Sequence, residues 1–300
     1  MTGLHAPLAL ALGTFDGVHL GHRAIIETAR AAVGPTGAVT AVTFWPHPLT
    51  VLDADGAPAL LQGLDAREDA LLNAGADEVL LLEFTSQLAQ TSAESFVEDV
   101  LAPLGPVAVA VGANFTFGAR GAGTPAVLTD LAKGRFEVLT SPIVAVNDQP
   151  VSSSVIRSLV LSGDVSAAGR LLGRDFSVRG EVVVGDRRGR LLGFPTANLT
   201  PTNDLVTPAD GVYAGWLRRL DDPDGVQMPA AVSVGDNPTF GSTRRVEAYV
   251  LDADFDIYGV AVEVGFRQWL RGMVTFASVK ELIAQMRQDV ADTSTIMIRA

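Results

Sequence analysis

Residues 13–22 read GTFDGVHLGH, and they follow the apolar run Leu8-Ala9-Leu10-Ala11-Leu12 and precede a helix-forming stretch that opens at Leu20. An apolar strand without alternation is buried on both faces, as strands of a parallel sheet are. A helix that opens straight after such a strand presents unpaired N–H groups and a partial positive charge to the intervening turn, which is a natural seat for phosphate. Gly13, Gly17 and Gly21 let the backbone turn and approach a ligand closely. His19 and His22 lie three residues apart, so both can face one ligand, donate hydrogen bonds to phosphate oxygens and stabilise charge that grows on a leaving pyrophosphate. An H-x-x-H spacing alone favours an incidental surface loop. Two of the chain's four histidines inside a glycine-rich strand-to-helix turn reverse that balance. The spacing does not fit the H-E-x-x-H zinc motif, and the turn offers no third histidine to complete a zinc site.

Outward from this turn, strand-like runs at 8–14, 38–44, 78–82 and 107–111 alternate with helical stretches at 20–32, 65–74 and 92–101. Thr91 and Glu94 are spaced as a capping box for the last of these helices. The pattern predicts a doubly wound α/β domain, Rossmann-like, with a parallel sheet. Two short helices are expected at 152–161 and 165–172. Beyond Gly173 the pattern changes to strands at 177–184, 211–220, 230–234, 246–251 and 261–266, joined by turns rich in Gly, Asp and Pro, with a helix only at 278–290. Consecutive strands joined by turns predict an antiparallel β-barrel or sandwich closed by a terminal helix. The expected domains are 1–174 and 175–300.

The bulk properties agree with two soluble globular domains. Of the 300 residues 48% are hydrophobic and 19% charged, enough apolar surface for two cores. The absence of cysteine excludes disulfides and thiolate metal sites. A net charge of −12 argues against a long nucleic-acid interface, but not against a single nucleotide held by a few local donors. The start, MTGLHAPLAL, lacks the basic and apolar regions of a signal peptide, and the apolar runs are too short to span a bilayer. The expectation is a cytoplasmic protein with neither nucleic acid nor membrane as partner; a homo-oligomer stays open.

The second half carries GDRRGRLLGFPTANL at 185–199. Gly185, Gly189 and Gly193 form a phosphate-sized loop, and Arg187, Arg188 and Arg190 add positive charge to an acidic chain. Thr196 and Asn198 offer two neutral oxygens two residues apart. Mg²⁺ keeps several waters and takes the rest of its shell from a few protein groups and substrate phosphates, so these oxygens can serve it. From spacing alone a barrel turn with an Asx cap is the simpler reading. Glu247 lies on an otherwise apolar strand, where a lone Glu ordinarily points to solvent.

Several motifs together carry a resemblance. GTFDGVHLGH, with Gly13, Phe15, Asp16, His19, Gly21 and His22, is similar to the H-x-G-H signature of nucleotidyltransferases. In its longer form it resembles the adenylyltransferase domain of bacterial bifunctional FAD synthetases (riboflavin kinase/FMN adenylyltransferase). VTFWPHP at 42–48, with His47 at a strand's end, is similar to that family's P-H-P strand. GANFTFG at 112–118 is similar to its G-x-D-F-x-F-G element. Asn114 stands where many members carry Asp, and an amide binds a nucleotide without bringing charge for a metal. VSSSVIR at 151–157 is similar to S-S-T-x-I-R, with Ser153, Ser154 and Arg157 at the matching positions. In the second half, G-F-P-T-A-N resembles the flavokinase signature, and 211–213, 236–241, 246–247, 256–259 and 271–276 follow in that family's order. The resemblance covers about residues 8–289.

It implies an enzyme that phosphorylates riboflavin to FMN with ATP in the barrel and adenylylates FMN to FAD in the first domain, with Mg²⁺ as cofactor and riboflavin, FMN and ATP as small-molecule partners. The implied roles are His19 and His22 in adenylyl transfer and Glu247 as general base for the kinase. Thr196 and Asn198 fall to the metal. Gly13, Phe15, Asp16, Gly21, His47, Asn114, Ser153, Ser154, Arg157, Gly185, Gly189, Arg190, Gly193, Pro195, Asn237 and Arg271 fall to substrate or nucleotide binding. Retention of only one activity, or a non-catalytic flavin-binding regulator, are the alternatives.

Overall fold

The strands of the first half pair in parallel, an arrangement that buries its central strands on both faces. The computed structural model describes residues 6–184, 192–199, 204–222, 224–236, 244–253 and 257–298, and the chain divides into two units, Met1–Ser153 and Ser154–Ala300. In chain order the first unit holds β1 (Leu8–Leu12), α1 (Leu20–Val33), β2 (Ala38–Trp45), α2 (Pro48–Leu52), α3 (Leu64–Asn73), β3 (Glu78–Glu83), α4 (Ser86–Ala89), α5 (Ala93–Phe96), β4 (Ala108–Gly112), α6 (Pro125–Ala132) and β5 (Glu137–Ser141). A two-stranded hairpin, β6 (Ala145–Val146) and β7 (Gln149–Pro150), follows. The sheet order is β3-β2-β1-β4-β5, so β1 pairs with both β2 and β4 and the winding reverses between β1 and β4.

The two sheet faces are chemically distinct. Ala9, Ala11, Ala41, Ala108 and Ala110 make one face shallow, and Ile25, Ile26 and Ala29 of α1 with Leu71 of α3 pack closely against it. Leu10, Leu12, Val42, Val109 and Val111 form the opposite face, covered by Phe96, Val97, Leu101 and Leu128. The helix expected over 92–101 is α-helical only to Phe96 and continues as a π-turn over Val97–Leu101. Its cap is Ser92, which accepts from Ser95 N, and not Thr91. The Thr91 hydroxyl is committed to the end of α4, donating to Gln87 O. Both α6 and β5 lacked a clear signal. Gly118 closes the loop after β4 at φ 71°, with space beside it for no side chain: a Cβ would lie 2.6 Å from Ala93 N.

The second unit holds most of α7 (Ser153–Leu161), then α8 (Val165–Leu172), β8 (Phe176–Val183), β9 (Ala197–Leu199), β10 (Gly211–Arg219), β11 (Met228–Asp236), β12 (Arg244–Val250), β13 (Ala261–Arg271) and α9 (Val279–Ile298). Six strands close an antiparallel barrel in the order β10-β11-β12-β9-β8-β13. One strand more than expected takes part: β9 is the second half of the PTAN motif. Val232, Val234, Val246, Ala248, Val264 and Phe266 are fully buried in the barrel core. By packing, the helices placed by the sequence with residues 1–174 go with the barrel: Ser166 Oγ donates to Arg267 O at 2.8 Å, and Gly163 sits against the Trp269 ring. Among the described residues no helix is long and apolar enough to cross a membrane.

Gly265 leaves the space that the Trp216 indole fills. A Cβ there would lie 2.1 Å from the ring, whose Nε1 donates to Asp175 Oδ2 at 2.9 Å. Gly265→Ala is therefore expected to destabilise the barrel by about 1–3 kcal/mol through overpacking. Urea unfolding followed by tryptophan fluorescence measures this, and an unchanged midpoint would show that the strands shift to accommodate the methyl group.

Candidate active sites

In a parallel sheet all strands deliver their C-terminal ends to one edge, and ligands bind there where the winding reverses. Here that position lies between β1 and β4. The GTFDGVHLGH loop leaves β1 and the GANFTFG loop leaves β4, so the two motifs flank it. Gly13 stays on the sheet through its N–H, which donates to Val42 O at 3.1 Å. The chain then turns through Phe15 (φ 51°), Gly17 (φ 89°) and Val18 (φ 39°). Left-handed geometry is uncommon for Phe and a genuine outlier for a β-branched Val, so the loop is strained and must be held by its surroundings.

His19 is the N-cap of α1, and its Nδ1 accepts from His22 N at 3.3 Å. Because Nδ1 accepts, a neutral ring carries its proton on Nε2. The His22 ring stacks on His19 with centroids 3.6 Å apart, and Phe15 meets His22 edge-on at 5.2 Å. Gly21 is packed against the His19 ring, 3.1 Å from a Cβ there to Cε1. The two histidines thus form one stacked unit over the first turn of a fourteen-residue helix. Asn114 is exposed in the loop after β4, and its Oδ1 lies near Gly112. His47 caps α2, its Nδ1 accepting from Leu49 N at 3.2 Å. It is buried at the end of β2, on the same sheet edge.

Two residues expected to contact substrate are turned to the protein. The Asp16 carboxylate is buried and accepts from Leu61 N at 2.9 Å. Ser153 Oγ donates to Asp16 O at 2.7 Å. Both therefore brace the loop. Ser154, which is exposed, and Arg157, which is half-buried, lie on α7 at the start of the second unit.

The second constellation forms around β12. Strict alternation puts Val246, Ala248 and Val250 inside the barrel and Glu247 and Tyr249 outside it. In the antiparallel register Glu247 faces Asn198 on β9 and Ser233 on β11. Directly opposed residues have Cβ atoms about 5 Å apart, so the Glu and the Asn of the motif are neighbours on one face. Asn198 Nδ2 donates to Thr196 O at 3.2 Å and Thr196 Oγ1 at 3.3 Å, which directs the amide nitrogen toward Thr196 and leaves Oδ1 to accept.

A cavity of about 290 Å³ opens between this outer face and α9. Thr196, Ser233, Glu247 and Tyr249 line it on the barrel side; Met273, Phe276, Leu282, Met286 and Val290 supply an apolar wall. Its size suits a small organic ligand. Arg271 also lines it but is already engaged, with Nε 2.9 Å and Nη2 2.7 Å from the two oxygens of Asp289, which also accepts from Gln285. This fork fastens α9 to the end of β13. The α9 wall escaped the sequence reading, although the apolar spacing Leu282, Met286, Val290 is its signal. Gly193 and Pro195 are exposed at the approach to β9. Gly185, Gly189, Arg190 and Asn237 lie outside the described residues.

The donor types suit a magnesium ion: a hydroxyl and an amide two residues apart, with a carboxylate across the ladder, can serve a hard cation that takes its remaining ligands from phosphate and water. Among the described residues no cluster of three or more His, Cys, Asp or Glu offers a stronger metal site.

Comparison with known proteins matches both units. Residues 3–155 match the FAD synthetase family model and residues 172–297 the riboflavin kinase model. The bifunctional riboflavin kinase/FMN adenylyltransferase of Listeria monocytogenes is 36% identical over 95% of this chain and 90% of its own length. The proteins of that name from Bacillus subtilis and Escherichia coli K12 are 32% and 34% identical over 95% and 93% of this chain, each also over 90% of its own length. A Streptococcus pneumoniae crystal structure, described as a macrolide-efflux protein, superposes with a TM-score of 0.86 at 32% identity, covering 98% of this chain and 95% of that one. With both halves matched in order and relatives up to 36% identical over 95% of its length, the chain belongs to the bifunctional riboflavin kinase/FMN adenylyltransferase family.

Proposed function

We propose that this enzyme phosphorylates riboflavin to FMN with ATP and then adenylylates FMN with a second ATP to give FAD and pyrophosphate. The observation that carries the kinase assignment is the placement of Glu247 opposite Asn198 at the wall of an apolar chamber. The chamber takes the aromatic ring system of the flavin, and its polar side lets the ribityl chain bring its terminal hydroxyl to Glu247. The carboxylate accepts the hydroxyl proton as that oxygen bonds to the γ-phosphorus of ATP and the bond to the departing ADP breaks. Thr196 and Asn198 would hold Mg²⁺, which when bound would neutralise charge on the ATP phosphates. Gly185, Gly189, Arg190, Gly193, Pro195 and Asn237 are proposed substrate or nucleotide contacts. Arg271 acts by keeping α9 in place.

On the adenylyl side a phosphate oxygen of FMN attacks the α-phosphorus of ATP, and pyrophosphate leaves. The protein contributes alignment and charge stabilisation. The N–H groups opening α1 and the imidazole of His19 are the proposed donors to phosphate, and His22 is stacked beside them. Asn114 and His47 line the same edge. Ser154 and Arg157 are assigned to the nucleotide on the resemblance alone. The functional division is proposed at 174/175, with α7 serving the first activity. The substrates are small molecules, and the reactions are placed in the cytoplasm.

Three experiments test these roles. Glu247→Gln is expected to lower kinase turnover about 10²-fold or more while FMN-to-FAD conversion stays within twofold; wild-type phosphorylation would remove the general-base assignment. His22→Ala is expected to lower FAD formation about 10²-fold and leave FMN formation intact. Chromatography of both flavins over time separates the two, and loss of both in a folded variant argues against independent sites. Asn198→Ala should raise the Mg²⁺ concentration for half-maximal kinase activity about tenfold, read by titration of ADP release; an unchanged titration would sink the metal assignment.

A further inference from the structure

Arg67 on α3 belongs to none of the motifs, yet its side chain is fully buried beneath the GTFDGVHLGH loop. Its Nη1 donates to Thr14 O at 3.1 Å and to Phe44 O at 3.4 Å, joining the chain just past the end of β1 to the end of β2. Thr14 O also accepts from Thr43 Oγ1 at 3.1 Å. The Arg67 Nη2 lies 3.8 Å from Asp16 Oδ1, and the guanidinium stands 5.3 Å from the centre of the Trp45 ring. Nε and Nη2 make no hydrogen bond. Burial pushes the guanidinium pKa down, and the Asp16 charge opposes this.

A buried arginine is expensive unless its charge is compensated and its donors are used. Packing alone is better served by an apolar side chain, and here two donor nitrogens go unused. What the arginine secures is the position of Thr14 and Asp16, the residues on either side of left-handed Phe15. Asp16 in turn holds Leu61 N through its side chain and Ser153 Oγ through its carbonyl. The strained turn that ends in the His19 cap is therefore gripped at two successive points by one cation.

We infer that Arg67 is a positioning residue for adenylyl transfer, acting through Thr14 and Asp16 to set the height of the His19–His22 pair over the sheet edge, without touching substrate. The inference rests on the placement of adenylyl transfer at this loop. Misplacing reacting groups by about 1 Å can lower a rate about 10²-fold. Donors that act on charge formed in the transition state should register in kcat more than in KM.

The test is Arg67→Met in the full-length chain, assayed for FMN-to-FAD conversion. A fall in kcat of about 30-fold or more is expected, with KM for FMN and ATP within threefold. Bound ATP analogue per chain should equal that of the unsubstituted protein, and riboflavin phosphorylation should stay within twofold. Adding Asp16→Asn to Arg67→Met should cost less than a further threefold, because both act through one loop. A kcat within threefold of wild type, a fall matched by lost analogue binding, or full additivity with Asp16→Asn would overturn the inference. If Arg67→Met does not fold, Arg67→Lys decides. A kcat lowered about 3–30-fold at full binding stoichiometry supports positioning, and any other result overturns it. His22→Ala in the same assay separates the two levels: an active His22→Ala defeats the placement of the site, whereas an inactive one beside a fully active Arg67→Met defeats only the role of Arg67.

Discussion

A β-strand sends successive side chains to opposite faces, and this constraint decides where each unit can do chemistry. In the first unit helices cover both sheet faces, so the central strands β2, β1 and β4 are committed to packing almost throughout. The faces of β1 illustrate it: Ala9 and Ala11 meet α1, while Leu10 and Leu12 meet the opposite core. Polar function is displaced to the strand ends, where His19, His22, His47 and Asn114 stand. In the barrel the interior is filled by Val246, Ala248 and their neighbours, so the alternate residue Glu247 faces outward. An outward face gives a ligand only one wall. The helix α9 supplies the second, and a chamber results.

The same alternation explains what was legible in the sequence. The apolar run at 8–12 and the glycine-rich turn after it identified a parallel sheet, because few other structures bury both faces of a short strand. Turn spacing gave an antiparallel barrel or sandwich without separating the two, and Glu247 was singled out by the resemblance, since a lone Glu on an apolar strand ordinarily points to solvent. Less visible was β9: three residues that also belong to a motif gave too short a pattern, although its pairing with β12 is what brings Asn198 to Glu247. The Thr91–Glu94 spacing misled because Ser92 competes for the same cap and Thr91 has a carbonyl partner in the preceding helix. The packing of α7 and α8 with the barrel rests on contacts such as Ser166 to Arg267, separated by a hundred residues, which no local pattern encodes.

Ion pairs do different work at the two sites. Arg271 and Asp289 form a two-pronged, partly solvated fork whose hydrogen bonds are nearly ideal, and the geometry itself holds α9 against β13. Arg67 and Asp16 are more deeply buried and not directly hydrogen-bonded to each other; at 3.8 Å they are charges that compensate one another while each binds backbone. Removing one member of a buried pair typically costs about 3–5 kcal/mol, since the other charge is left uncompensated. Each member of this pair also binds backbone beside a turn that holds Phe15 and Val18 in unfavourable backbone geometry.

Strain of that kind needs an opposing grip, and its location is informative. Phe15 and Val18 frame Asp16 and Gly17, so the two non-glycine outliers stand on either side of Asp16, whose side chain and carbonyl are both bound. Relaxing the turn would carry His19 with it, since His19 directly follows Val18 and caps α1. In the proposed adenylyl transfer, holding the turn keeps the start of α1 and the stacked histidines in one place for a developing phosphate charge. Preorganisation of this kind, in place before substrate arrives, is the main means by which a site with little covalent chemistry of its own accelerates phosphoryl and adenylyl transfer.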